Sequence, residues 1–300
     1  MWIGRIRAFK VRVGRMEGRK AGKIRLGRAK ELGELTFYYF LLALMALVVL
    51  APLYWIFTSS FKPRGDMFGE VTLIPRHFTI RNYLNLFTET SYARWFINSL
   101  IVAVSFTALG VFFCSLGGFG FAKYEFRFKK VLFMVLLGSI MIPIYTVIIP
   151  LFITFVQYGL INTYWSLILP NSANPFGIFL MRQYIRAIPS ELIDAARIDG
   201  CSEFGIYYKI ILPVTKPGLA AVAIFLFLFS WNNLLFPLIF MKSSDMFTLP
   251  VGMSSFFSQQ HIRYDWVITS CFLTILPVAI VFAFMQRYFI AGLTAGAIKE

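Results

Sequence analysis

The sequence predicts an all-α, polytopic membrane protein with six transmembrane helices, and three observations carry that prediction. Of its 300 residues 58% are hydrophobic and only 14% charged, with 34 phenylalanines, a composition far too apolar for an ordinary soluble domain. Six runs lack Asp, Glu, Lys and Arg altogether: Leu35 to Phe57, Ile97 to Ala122, Val131 to Val156, Tyr164 to Met181, Pro217 to Met241 and Trp266 to Gln286. Each is roughly 18 to 26 residues long, enough to cross about 30 Å of hydrocarbon as a helix. The basic residues are also unevenly placed. With both termini inside, segments 1–34, 123–130, 182–216 and 287–300 are cytoplasmic and hold 22 of the 29 Lys and Arg, as the positive-inside rule requires.

The elements follow in order. Residues 1–34 form a basic tail with 11 Lys and Arg among glycines and no helical stripe. A disordered tail on the inner membrane surface is expected, with a partner-binding arm as the alternative. The run after it is 23 residues long and lacks a small-residue cleavage site, so an uncleaved first span is expected rather than a removable signal peptide. Residues 35–300 then make one transmembrane domain. In the second span Gly117, Gly118 and Gly120 suggest close helix packing.

The fourth run is interrupted by Pro170-Asn171-Ser172-Ala173-Asn174-Pro175-Phe176-Gly177. Backbone groups freed at membrane depth are tolerated only where protein or a water-filled cavity satisfies them, so this segment should face the bundle interior. Asn171 and Asn174 are therefore candidates for lining a translocation path, and a packed proline kink is the competing reading. Trp231-Asn232-Asn233 in the fifth run has the same two readings: a path lining, or an interfacial aromatic with two amides bonding between helices.

Between the fourth and fifth spans lies a charged, helix-sized insertion, residues 182–217. Ser190 suits an N-cap, Glu191 and Asp194 place negative charge in the first turn, and Gly200 stands where a helix stop is expected. Leu192, Ala195, Ala196 and Asp199 share one face, which two adjacent alanines keep low enough for a partner's backbone to approach. Ser202 and Glu203 signal a second helix that Pro213 ends.

The function classes excluded are as telling. His77 and His261 fall in outer loops, so no span offers a histidine to a proton relay or a metal. The absence of ionisable residues from the spans disfavours an ion-coupled secondary transporter. No G-x-x-x-x-G-K-[ST] loop is present, since Gly22-Lys23 lacks the preceding glycine spacing. The chain is thus expected to bind no cofactor and to act as no enzyme, with ATP used by a partner subunit if transport is uphill. Cys114 and Cys271 lie in spans and Cys201 in the insertion, which reads as three free thiols. The net charge of +15 reads as topology and attraction to anionic lipid rather than nucleic-acid binding.

Asp194-Ala195-Ala196, Arg197, Gly200, Ile210, Leu212 and Pro213 resemble the EAA loop of ABC-importer permeases, a Glu-Ala-Ala, Gly, Ile-x-Leu-Pro pattern. Asp194 replaces its Glu, and Cys201 stands where a small Ala is usual. Asn82-Tyr83, Asn98-Ser99, Trp231-Asn232-Asn233, Thr248 to Met253 and the terminal Gln286 to Phe289 with Gly292 to Gly296 extend the resemblance to carbohydrate-uptake permeases like the maltose-permease G subunit. The resemblance runs from about residue 36 to the end. It implies the type I importer permease fold, a second related permease, an ABC ATPase dimer and an extracellular or periplasmic solute-binding protein. It further implies a bacterial or archaeal cytoplasmic (inner) membrane, alternating access driven through the 191–217 loop, and an ATPase contact for Leu293, Thr294, Ala295 and Gly296. A sugar or oligosaccharide is the expected cargo, with glycerol-phosphate-type or other polyols as the alternative.

Overall fold

The computed structural model describes residues 33–67, 72–257 and 262–297, with side chains through residue 286. The basic tail up to residue 32, His261 and the side chains of Leu293, Thr294, Ala295 and Gly296 lie outside the described residues. The chain divides into two compact units, Met1–Thr58 and Ser59–Glu300. The described part of the first belongs to α1, a helix of 28 residues, Gly33–Ser60, whose side chains from residue 33 to residue 54 are exposed. So much exposed apolar surface demands a lipid or protein environment.

The second unit is built around α3 (Tyr92–Lys123), preceded by the short amphipathic α2 (Arg81–Glu89). α3 is apolar on all sides, the pattern of a helix with no face reserved for water. Phe106, Cys114 and Phe119 pack with Ile178, Met181 and Ile185 and with the insertion, Tyr92, Trp95 and Ala103 pack with Leu249 and Phe256, and Val102 packs with Leu167 and Phe240. One helix thus serves all three parts of the core.

The third expected span is not continuous. α4 (Lys129–Ser139) and α5 (Ile144–Gln157) meet at 97°, because Pro143 has no N–H to continue the ladder. The fourth is broken more severely, into α6 (Trp165–Ile168) and α7 (Pro175–Arg186), with Asn171 in the left-handed region at φ 61°. Asn174 caps α7, accepting from the Gly177 N–H at 3.0 Å, and Pro175 occupies a first-turn position where its missing N–H costs nothing. The insertion comprises α8 (Ser190–Ile198), α9 (Glu203–Ile206), a π-turn (Tyr207–Ile211) and α10 (Leu212–Val214). The expected fifth span divides into α11 (Lys216–Trp231) and α12 (Leu235–Phe240), followed by α13 (Leu249–Ser254) and α14 (Tyr264–Ala297). Among the described residues three helices are long and apolar enough to cross a membrane alone, and five if each of two bent pairs is one crossing. Prolines and asparagines thus split runs that composition alone makes continuous.

Several residues of the family-like pattern fasten the segment from Ser243 to Phe257 onto α3. Asn98 donates to the Asp245 and Phe247 carbonyls at 2.7 and 2.8 Å and accepts from the Tyr164 hydroxyl at 2.7 Å. Ser99 Oγ accepts from the Leu249 N–H at 2.8 Å. A Cβ on Gly252 would stand 2.1 Å from the Trp95 ring, so no side chain fits there. No β-strand is present among the described residues; one isolated bridge joins Phe257 and Ile262.

Candidate coupling and translocation sites

The insertion is a compact pair of helices with a defined corner. Gly200 takes φ 79°, its N–H bonds the Arg197 carbonyl at 3.0 Å, and the Cys201 N–H reaches back to Ala196 at 2.9 Å. These two bonds are those of a Schellman cap, which needs a left-handed residue at that position. Ser202 then caps α9 by accepting from the Gly205 N–H at 3.1 Å. Ser190, expected as an N-cap, is instead the first helical residue after Pro189 and makes no side-chain cap bond. Pro189 has no N–H, so a helix capped by it has one orphan donor fewer to satisfy.

The faces of α8 also differ from expectation. Ala196 and Ile193 are buried in the core with Ile185, Ile188, Ile206 and Ile211, whereas Leu192, Asp194, Ala195, Ile198 and Asp199 are exposed. The two alanines therefore do not share an open face: Ala196 seats α8 on its own subunit, and Ala195 remains for a partner. Arg197 stays exposed but is engaged within its own subunit. It donates to Asp194 Oδ1 at 3.1 Å and to both Glu203 carboxylate oxygens at 2.8 and 3.3 Å, and Tyr124 donates to the same carboxylate. The bond from Arg197, then that from Tyr124, holds Glu203 below the usual carboxylate range. Burial, reinforced by Glu203, pushes the Tyr124 hydroxyl up to about 12. This clamp fixes α8 to α9 and to the end of α3.

The join to the membrane domain rests on Ile206, Tyr207 and Ile211, against whose cluster Ile210 and Leu212 also pack. Ile210 and Leu212 are only half-buried, while Ile206, Tyr207 and Ile211 are enclosed and Tyr207 shares a 2.7 Å hydrogen bond with Ser115 of α3. Pro213 does not end the helix: its ring crowds the carbonyl four residues back, and the π-turn over Tyr207–Ile211 widens the backbone to accommodate it. The chain then turns by 82° into α11.

A second feature lies along the broken helices. The interruptions after α4, after α6 and after α11 converge on one groove of about 750 Å³, lined by Asn171, Asn174, Asn232 and Asn233 together with Phe176, Phe225 and Phe229. Phe176 and Phe225 have ring centroids 4.9 Å apart, and Phe225 and Phe229 stack at 6.4 Å. No charged residue is among its described lining. Asn233, just before α12, accepts from the Phe236 N–H at 3.1 Å, and Asn232 donates to the Leu228 carbonyl at 3.0 Å, so both retain amide atoms for another partner. Trp231 does not join them. It is buried against Phe227 and Phe96 and donates to the Thr274 carbonyl at 3.2 Å, fastening α11 to α14. The aromatic wall had a sequence signal: Phe225, Phe229 and Asn232 recur at helical spacing on one face of α11. Glu203 and Tyr124, 79 residues apart, had none.

A polytopic helical bundle with a polar, capped helix pair outside it and an uncharged groove at its helix breaks has the architecture of a membrane transport permease. The chain belongs to the binding-protein-dependent transport system inner membrane component family, whose model matches residues 114–294. It is 41% identical over 261 residues to the arabinooligosaccharides transport system permease protein AraQ of Halalkalibacterium halodurans, covering 86% of this chain and 94% of that protein. The AraQ protein of Bacillus subtilis is 39% identical over 269 residues, covering 88% and 95%. Its fold is that of an importer permease: a chain of a bacterial ABC transporter involved in the import of the acidic polysaccharide alginate superposes with TM-score 0.76 over 83% of this chain and 94% of that one, at 21% identity.

Proposed function

We propose that this subunit forms half of the translocation pathway of a carbohydrate importer and passes an oligosaccharide along the amide-lined groove. The observation that carries this reading is the chemistry of that groove. Four asparagines offer donors and acceptors to hydroxyl groups, and three phenylalanine rings offer faces against which a sugar's apolar C–H surface packs, within a volume suited to a few sugar units. The lack of a cation there argues against a glycerol-phosphate cargo held by this chain. Sugar relatives support the class of cargo; the identity of the sugar rests with the partner permease and the solute-binding protein as well.

In this reading the chain sits in a bacterial or archaeal cytoplasmic membrane with both termini inside, beside a second related permease, two ABC ATPase subunits and an external solute-binding protein. ATPase closure moves α8 and α9 as one lever, because the Arg197–Glu203–Tyr124 clamp and the buried Ile206, Tyr207 and Ile211 tie them to α3. Asp194, Ala195 and the exposed side chains of Leu192 and Ile198 meet the ATPase; Leu293 to Gly296 reach it from the end of α14. ATP is handled by those partners, so the purified subunit alone neither binds nor hydrolyses it, and robust ATPase activity from this chain by itself would overturn the assignment.

Cysteine accessibility tests the groove. Asn171→Cys and Asn232→Cys should react with water-soluble thiol reagents in at least one nucleotide state of the assembled transporter, above the background of the native cysteines. Asn232 is the milder site, since Asn171 holds a left-handed conformation that asparagine tolerates better than cysteine. Bound oligosaccharide should slow the reaction. If both stay inert in every state while loop cysteines react, the groove is a dry packing defect.

A further inference from the structure

A second cleft, of about 790 Å³, lies where α3 ends, α4 begins and α7 ends. Its charge is one-sided: Lys129, Lys130, Arg182 and Arg186 line it against a single carboxylate, Glu125. Glu125 pairs with Lys129 at 2.9 Å and feels the charge of Lys130 more weakly, leaving a net excess of three positive charges in the lining. Arg182 is held in place by donating through Nε to the Phe121 carbonyl at 3.2 Å and by lying over the Phe133 ring, 4.2 Å from its centroid. Its terminal nitrogens, Lys130 and Arg186 make no ion pair among the described residues.

The rest of the cleft is apolar and continues onto an exposed helix surface. Phe133, Val131 and Met134 form its wall, and Val131, Leu132, Met134 and Val135 leave α4 apolar and exposed beyond it. A soluble anion would have no use for that surface, and a polar protein partner would leave it bare. A ligand with a phosphate at one end and hydrocarbon at the other matches both parts. Its depth matches too, because α3 is a span-length apolar helix that ends at Lys123, beside the cleft.

We propose that this cleft binds an anionic phospholipid, its phosphate among Lys130, Arg182 and Arg186 and its acyl chains along Val131 and Met134. Basic pockets between membrane helices are suited to such headgroups. The bound lipid bridges α4 to α7 next to the segment that carries α8, and makes the transporter sensitive to the anionic content of its membrane. The inference goes beyond the cargo assignment and does not depend on it.

The test uses the assembled transporter in phosphatidylcholine vesicles doped with a phosphatidylglycerol probe carrying a photoreactive acyl chain, or with the matching phosphatidylcholine probe. Adducts should map to residues 131–134 and be several times more abundant with phosphatidylglycerol. The double variant Lys130→Gln, Arg186→Gln should lower them roughly tenfold or more, the effect of two surface charges. A charge-matched control, Lys209→Gln with Lys216→Gln, should leave them unchanged. Equal labelling by the two probes, an undiminished signal in the double variant, no adduct at 131–134 in the complex, or displacement of the probe by inorganic phosphate would each overturn the proposal.

Discussion

Gly200→Val is expected to abolish solute uptake while the subunit still inserts and assembles. A Cβ at Gly200 would meet nothing within 4 Å, so crowding plays no part. The whole penalty is backbone strain at φ 79°, where a β-branched residue costs roughly 1 to 2 kcal/mol more than glycine. That strain is relieved only by opening the Schellman cap, which disorients α8 relative to α9. Gly200→Asn should retain most uptake, because asparagine enters the left-handed region more readily. Asp194→Ala should be milder than the valine variant, since an exposed i,i+3 pair is lost while Arg197 keeps Glu203. Uptake and substrate-stimulated ATPase activity in reconstituted vesicles, with assembly checked by pull-down, measure this. Normal stimulated uptake by well-expressed Gly200→Val would show that the corner is not part of the coupling element.

Two glycines in one turn of α3 should behave oppositely. A Cβ on Gly118 would lie 2.6 Å from Met181 Cβ and 2.9 Å from the Arg182 N, so α3 and α7 must part to admit it. Overpacking of this kind costs about 1 to 3 kcal/mol, and here the nearest atoms belong to backbone or to a Cβ that cannot rotate away. Gly120 has nothing within 4 Å, so an alanine there should be neutral or gain up to about 1 kcal/mol of helix propensity. Gly118→Ala should therefore lower the unfolding midpoint in detergent and the amount of subunit in the membrane, with Gly120→Ala equal to or above the parent. Equal stability of the two variants would refute the close α3–α7 contact.

The amino-acid sequence by itself determined the membrane class, because lipid forces every span to satisfy its own backbone and so leaves long uncharged runs that composition can find. It also located the insertion and its corner, since Gly200 and Ser202 act through bonds to residues three positions away. The break around Asn171 to Pro175 was visible as residue types, whereas the one at Pro143 was not, since Pro150 and Pro277 stand inside continuous helices. Only the tertiary structure decided that the breaks converge, with Asn232 and Asn233, on one groove, because the bend angles and the packing on α3 set where each break falls. It likewise turned Ala196 inward, paired Arg197 with Glu203 at the surface and gave Trp231 to the core. Helical spacing tells which residues share a face, but what that face meets depends on partners far away in the chain, such as Tyr124 for the α8–α9 pair and Thr274 for Trp231, and such meetings leave no periodic mark on the sequence.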